Sequence, residues 1–173
     1  MQILIFLILL SMTNKNRGMF LETIINKSIS FFWENNLAFI EKKGLPITFA
    51  SVKKQNNKFI LENSIISRKS TVDYIGMLNG KFICFEAKTS NEDKFILKNI
   101  KQHQLEYLIL MQSHGAIAFF VFYFSKQNEF YKVDPMYIDS ELKKNKKSLH
   151  FEELKENSIK IELNFPGVLN LLQ

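Results

Sequence analysis

The sequence predicts an α/β fold, one mixed β-sheet flanked by helices, and three observations carry that expectation. Residues 71–89, TVDYIGMLNGKFICFEAKT, read as two strands joined at Asn79-Gly80, a pair suited to the two-residue turn of a β-hairpin. Residues 115–124, GAIAFFVFYF, are a near-continuous β-rich apolar run, which suits a central strand covered on both faces. Residues 18–36 and 95–112 repeat their apolar positions at helical spacing instead.

The 173 residues suffice for one domain with a buried core and are few for two. The formal charge of +6 is carried by 21 Lys and only two Arg, Arg17 and Arg68. A basic balance favours a polyanionic partner without identifying it. Abundant Lys, Asn, Ile and Phe also fit an AT-rich coding sequence, so the lysine count alone says little. Cys84, the single cysteine, excludes an internal disulfide and fits a reducing, cytoplasmic compartment. His103, His114 and His150 are scattered without zinc spacing, and the sequence holds no Gly-rich phosphate loop, GxSxG or HExxH.

Residues 1–10, MQILIFLILL, fall well short of the ~18–20 residues that span a bilayer. They also lack the basic start and cleavage site of a signal peptide. They are read as an extension upstream of a true initiator at Met12, so residues 1–15 stand apart from the domain and no membrane partner is expected. The helix at 18–36 buries a face made largely of Leu21, Ile24, Ile25, Ser28, Phe31 and Phe32, with Glu22 one position off it. Glu22 is either a solvated or capping residue of the first turn, where negative charge is favourable, or one that approaches the site described below. Residues 37–52 form strand-like pieces broken by Lys42-Lys43-Gly44 and Pro46. Residues 53–69, KKQNNKFILENSIISRK, make a charged excursion around an apolar centre.

Beyond the hairpin comes a polar loop at 90–94, then the helix at 95–112 with Leu97, Ile100, Leu108 and Met111 on one face. Gln104 sits in that apolar stripe, and a buried amide needs a partner; Gln102 and His103 lie off it and are expected to be exposed or near DNA. A shorter strand at 129–133 partners the central one. Residues 135–142 suit a short helix, since proline is accepted in a first turn. Residues 143–150, KKNKKSLH, read as a basic loop, and 151–156 and 166–172 as short closing helices.

The chemistry lies in the hairpin. With a two-residue turn, Leu78 faces Lys81, and counting outward sets Asp73 opposite Glu86 and Thr71 opposite Lys88. Side chains alternate along a strand, so these four share one face while Tyr74, Phe85 and Ala87 point toward a core. Directly opposed carboxylates are destabilising unless something positive lies between them. A divalent cation held by oxygen ligands is the natural occupant, and with Lys88 beside it the set suggests metal-assisted hydrolysis.

Asp73, twelve intervening residues, then Glu86-Ala87-Lys88 resembles the PD-(D/E)xK nuclease signature. The flanking words Ser70-Thr71-Val72-Asp73-Tyr74, Lys98-Asn99-Ile100-Lys101-Gln102-His103-Gln104 and Asn16-Arg17-Gly18-Met19 resemble the RecU family of Holliday junction resolvases, from about Asn16 to the C-terminus. The resemblance implies a restriction-endonuclease-like sheet in residues 16–173 and a stalk, at about 53–69, that enters the centre of a four-way DNA junction. It implies Mg²⁺ at Asp73 and Glu86, with Thr71 and Gln104 completing or positioning its shell and Lys88 stabilising transition-state charge. Arg17, Lys53, Lys54, Arg68 and Lys69 become candidates for DNA contact, and Glu22 a possible accessory, as helix glutamates are in related nucleases. A junction has approximate two-fold symmetry, so a homodimer making paired nicks in recombination and repair is expected. The alternatives are a general or restriction-type nuclease, and a junction-binding protein without catalysis.

Overall fold

The computed structural model describes residues 14–68 and 70–173. Residues 1–13 of the expected extension, Lys69 and the side chain of Arg17 lie outside the described residues. A long helix α1 (Asn14–Glu34) leads into the edge strand β1 (Phe39–Lys42). An excursion follows, made of β2 (Ile47–Thr48), β3 (Ser51–Gln55), β4 (Lys58–Glu62) and β5 (Ile65–Ile66). The predicted hairpin is β6 (Tyr74–Leu78) and β7 (Lys81–Ser90), and after it come β8 (Lys94–Ile96) and α2 (Gln102–Ser113). The central strand is β9 (Ile117–Phe124), followed by β10 (Glu129–Val133) and α3 (Pro135–Lys143). The chain closes through β11 (Ser148–His150), α4 (Phe151–Glu156), β12 (Ile159–Ile161), β13 (Leu163–Asn164) and β14 (Val168–Leu169).

Six strands form one mixed sheet in the order β1-β6-β7-β9-β10-β12. Only the β7–β9 pair in it is parallel, joined by a crossover through α2; the other neighbours run antiparallel. The β6–β7 register is the one counted from the turn, Leu78 against Lys81 through Tyr74 against Phe85. Asn79 and Gly80 both take positive φ, 49° and 76°, as a primed two-residue turn requires. Gly76 answers a different need: a Cβ there would stand 2.0 Å from the Phe39 carbonyl oxygen, so β1 lies against β6 only because position 76 has no side chain.

Each face of the sheet buries its own core. On one, Leu21, Ile25, Ile29 and Phe32 of α1 pack over Tyr74, Phe85, Phe119 and Val121. Tyr74, Phe85 and Phe119 stack in a row across three strands at 4.8 and 5.0 Å between ring centroids, a geometry worth about 1 kcal/mol per pair beyond the area removed from water. On the other face, Leu105 and Leu108 of α2 cover Cys84, Phe120 and Phe122. Strand β9 is therefore apolar on both sides, and seven of its eight residues are buried.

Three expectations give way. The helix predicted from residue 95 begins at Gln102, because Lys94–Ile96 pairs as a strand with Ser148–His150 and a 3-10 turn at Leu97–Asn99 follows. Phe95, Leu97 and Ile100 are buried as their spacing demanded, but the strand partner, from the supposed basic loop, lies some fifty residues away in sequence. The closing helix expected at 166–172 is the hairpin β13–β14. The first helix starts at Asn14, which puts Glu22 well inside it and removes the first-turn reading of that residue.

The excursion spans Ile47–Ile66. β2 pairs with β5 at its base, and β3 with β4 beyond, closed by Asn56 and Asn57 at positive φ. Every residue of β3 is exposed, as is all of β4 except half-buried Glu62, so both faces of this hairpin stand clear of the core.

Candidate active site

The hydrogen-bonded ladder of β6 and β7 ends at Tyr74 and Phe85, and Asp73 and Glu86 meet one step beyond it. The Asp73 amide donates to Glu86 Oε2 at 3.0 Å, and the Ala87 amide donates to Asp73 Oδ2 at 3.2 Å. Glu86 is only 3 % exposed. Its Oε1 accepts from Lys88 Nζ at 2.8 Å and from Gln104 Nε2 at 2.7 Å, while Lys88 also donates to Gln104 Oε1 at 3.2 Å. Strand alternation puts Lys88 two residues along from Glu86, and α2 lowers Gln104 onto them from above the sheet. Burial pushes the Glu86 carboxyl up to about 7 from an ordinary 4.5; Lys88 opposes the rise and Asp73 adds to it.

Asp73 borders two cavities. The larger, about 680 Å³, is lined by Asp73, Glu86, Arg68, Lys101, His103 and Gln104, and also by Leu45 and Ile66. The smaller, about 220 Å³, brings in Lys88, Glu22 and Lys42. Glu22 is ion-paired with Lys42 there.

The donor chemistry fits a hard divalent cation. A carboxylate this buried, beside a second one, is destabilised in its charged form, and a cation between them would reverse that. Among the described residues no three of His, Cys, Asp and Glu gather at one point. Two carboxylates and an amide leave room for waters, the coordination that Mg²⁺ prefers over an all-protein cage.

The chain is similar to known proteins along most of its length. The family model described as Recombination protein U matches residues 16–173. A protein of Mycoplasmopsis pulmonis named Holliday junction resolvase RecU is 42 % identical over 93 % of this chain and 94 % of its own length. One of the same name from Ureaplasma parvum is 36 % identical over 92 % and 91 %. The chain belongs to the RecU family. A solved structure of Archaeoglobus fulgidus Hjc, described as a Holliday junction resolvase, superposes with a TM-score of 0.46 at 9 % identity, covering 78 % of this chain and 91 % of that one.

In this RecU-family chain Asp73, Glu86, Lys88 and Gln104 come together within hydrogen-bonding reach. Thr71 does not stand opposite Lys88 as the counting predicted, since β6 begins at Tyr74 and residues 70–73 leave the strand. Its hydroxyl instead accepts from Lys43 Nζ at 2.7 Å. Arg68 is exposed at the rim of the larger cavity, and Lys53 and Lys54 lie on the excursion, where Lys53 pairs with Glu62 at 2.7 Å. Sequence reasoning passed over Lys42 and Lys43 as part of a turn. They are where β1 runs out beside Asp73, whose carbonyl accepts the Lys43 amide at 2.7 Å. No local pattern announces that contact; it follows only once β1 is known to pair with β6.

Proposed function

We propose that this chain is a divalent-cation-dependent endodeoxyribonuclease that resolves Holliday junctions during homologous recombination and DNA repair, by paired symmetric nicks. The observation that carries this reading is the meeting of Asp73, Glu86, Lys88 and Gln104 beside an open cleft in a member of the RecU family. Asp73 and Glu86 would hold the cation, with Mg²⁺ the proposed ion and Gln104 Oε1 at its edge. When bound, the cation polarises the scissile phosphate and lowers the pKa of an attacking water. Lys88 then turns from Glu86 to the negative charge that builds on the phosphate. Thr71 acts indirectly, by holding Lys43 beside the loop that carries Asp73.

Substrate choice falls to the excursion. A hairpin exposed on both faces, with Lys53, Lys54 and Phe59 along it, suits insertion at the centre of a four-way junction. Arg68 lies at its foot, beside the cleft, where a phosphate backbone would run. Two copies related by a two-fold axis match the symmetry of the junction, so a homodimer is the proposed working form. Among the described residues no helix is long and apolar enough to cross a membrane, and the proposed setting is the cytoplasm, where bacterial DNA lies. Cation-dependent cutting of a synthetic four-way junction, set against a matched linear duplex, tests the proposal.

A further inference from the structure

Asp73 is placed by unusual means. It lies outside the β6–β7 ladder, and its carboxylate is tied to β7 by the Ala87 amide rather than by strand pairing. The segment leading into it, Ser70 to Val72, is irregular. Lys43 holds its far end, through Thr71 and the Asp73 carbonyl, and α2 holds its near end. His103 Nε2 lies 3.1 Å from the Ser70 carbonyl oxygen. One helical turn on, the Tyr107 hydroxyl lies near that of Thr71. Between them Gln104 holds Glu86. A single helix thus grips both partners of the carboxylate pair, Glu86 directly and Asp73 through the backbone three residues before it.

We propose that His103 is a positioning residue: by fixing Ser70 to the helix that also holds Glu86, it sets the separation of the Asp73 and Glu86 carboxylates to that required by a divalent cation. A carbonyl oxygen only accepts, so His103 Nε2 carries the proton and the ring acts as a donor. The contact is half-buried, and His103 borders the same cleft as both carboxylates, so loss of the ring frees the loop at the point where it enters the site. Residues that orient metal ligands without touching the metal typically account for ~10–100-fold in affinity. The inference rests on the reading of Asp73 and Glu86 as cation ligands.

The test is a Mn²⁺ and Mg²⁺ titration of the whole chain without DNA, read as the rise in melting temperature, for wild type, His103→Ala, His103→Gln and His103→Asn. Junction binding in EDTA is measured alongside. His103→Ala should need ~10–100-fold more cation for the same rise, with junction binding in EDTA unchanged. His103→Gln, whose amide nitrogen reaches about as far as Nε2, should recover most of the loss, and the shorter His103→Asn should not. His114→Ala, an exposed substitution at the far end of α2, should titrate as wild type. Equal titration of wild type and His103→Ala overturns the inference while leaving the nuclease reading in place. A wild type that no cation stabilises overturns both. If His103→Ala does not fold, an equal response of the Gln and Asn variants overturns the inference.

Discussion

The Asp73 amide donates to the Glu86 carboxylate at 3.0 Å, and the amide next to Glu86 donates back to the Asp73 carboxylate at 3.2 Å. Each acidic residue therefore braces the segment that carries the other. Asn at position 73 keeps an oxygen for the Ala87 amide but loses the charge. Asp73→Asn should accordingly keep the wild-type melting temperature and junction affinity while cleavage falls by on the order of 1,000-fold or more. Parallel loss of binding and cutting would instead make Asp73 structural.

The raised Glu86 carboxyl gives cation binding a pH dependence with a definite sign. The folded protein holds this proton more tightly than the unfolded chain, so its contribution to stability is intact below the ordinary 4.5 and is lost as pH rises to about 7. A cation must displace the same proton. Its affinity should fall roughly tenfold per pH unit below about pH 7 and level off above it, with the largest cation-induced gain in melting temperature on the alkaline side. A pH-independent cation titration would contradict this account of Glu86.

Gly76 offers a check on the frame that carries the site. A methyl group 2.0 Å from the Phe39 carbonyl oxygen and 2.7 Å from the Ile40 Cα meets backbone on both counts, so nothing can turn aside. Gly76→Ala should cost about 2–4 kcal/mol, measured by urea unfolding. It should also loosen β1, and with it the Lys43 contacts to Thr71 and Asp73.

The excursion separates substrate choice from chemistry. Replacing Ile47–Ile66 with a short Gly-Ser turn removes strands that bury almost nothing. Melting temperature should change little, and the low level of linear-duplex cutting should persist. Preference for a four-way junction should disappear in competition assays, and an unchanged preference would remove the hairpin from the recognition account.

Much of this was legible in the chain itself, for a physical reason. The Asn79-Gly80 turn fixes register by counting, so Asp73 and Glu86 could be set opposite each other before any coordinates. The apolar run through Phe119–Phe124 identified a strand buried on both faces, and Gln104 stood out as a lone amide on an apolar stripe. Counting failed at Thr71 because a register extends only as far as the ladder, and this one ends at Tyr74. It failed at Phe95 because helical spacing there coincides with a strand whose partner, Leu149, is remote in sequence. The contacts of Lys43 with Thr71 and of His103 with Ser70 span 28 and 33 residues, and no local propensity encodes either.

The Asp73–Glu86 site is proposed to cut junctions with a divalent cation. The measurement that tests this most directly is incubation of the protein with a strand-labelled synthetic four-way junction and a matched linear duplex, with Mg²⁺ and with EDTA. The expected result is paired nicks at symmetry-related positions in the junction, little cutting of the duplex, and none of either in EDTA. Equal cutting of both substrates, or tight junction binding with no cutting in Mg²⁺, would contradict it.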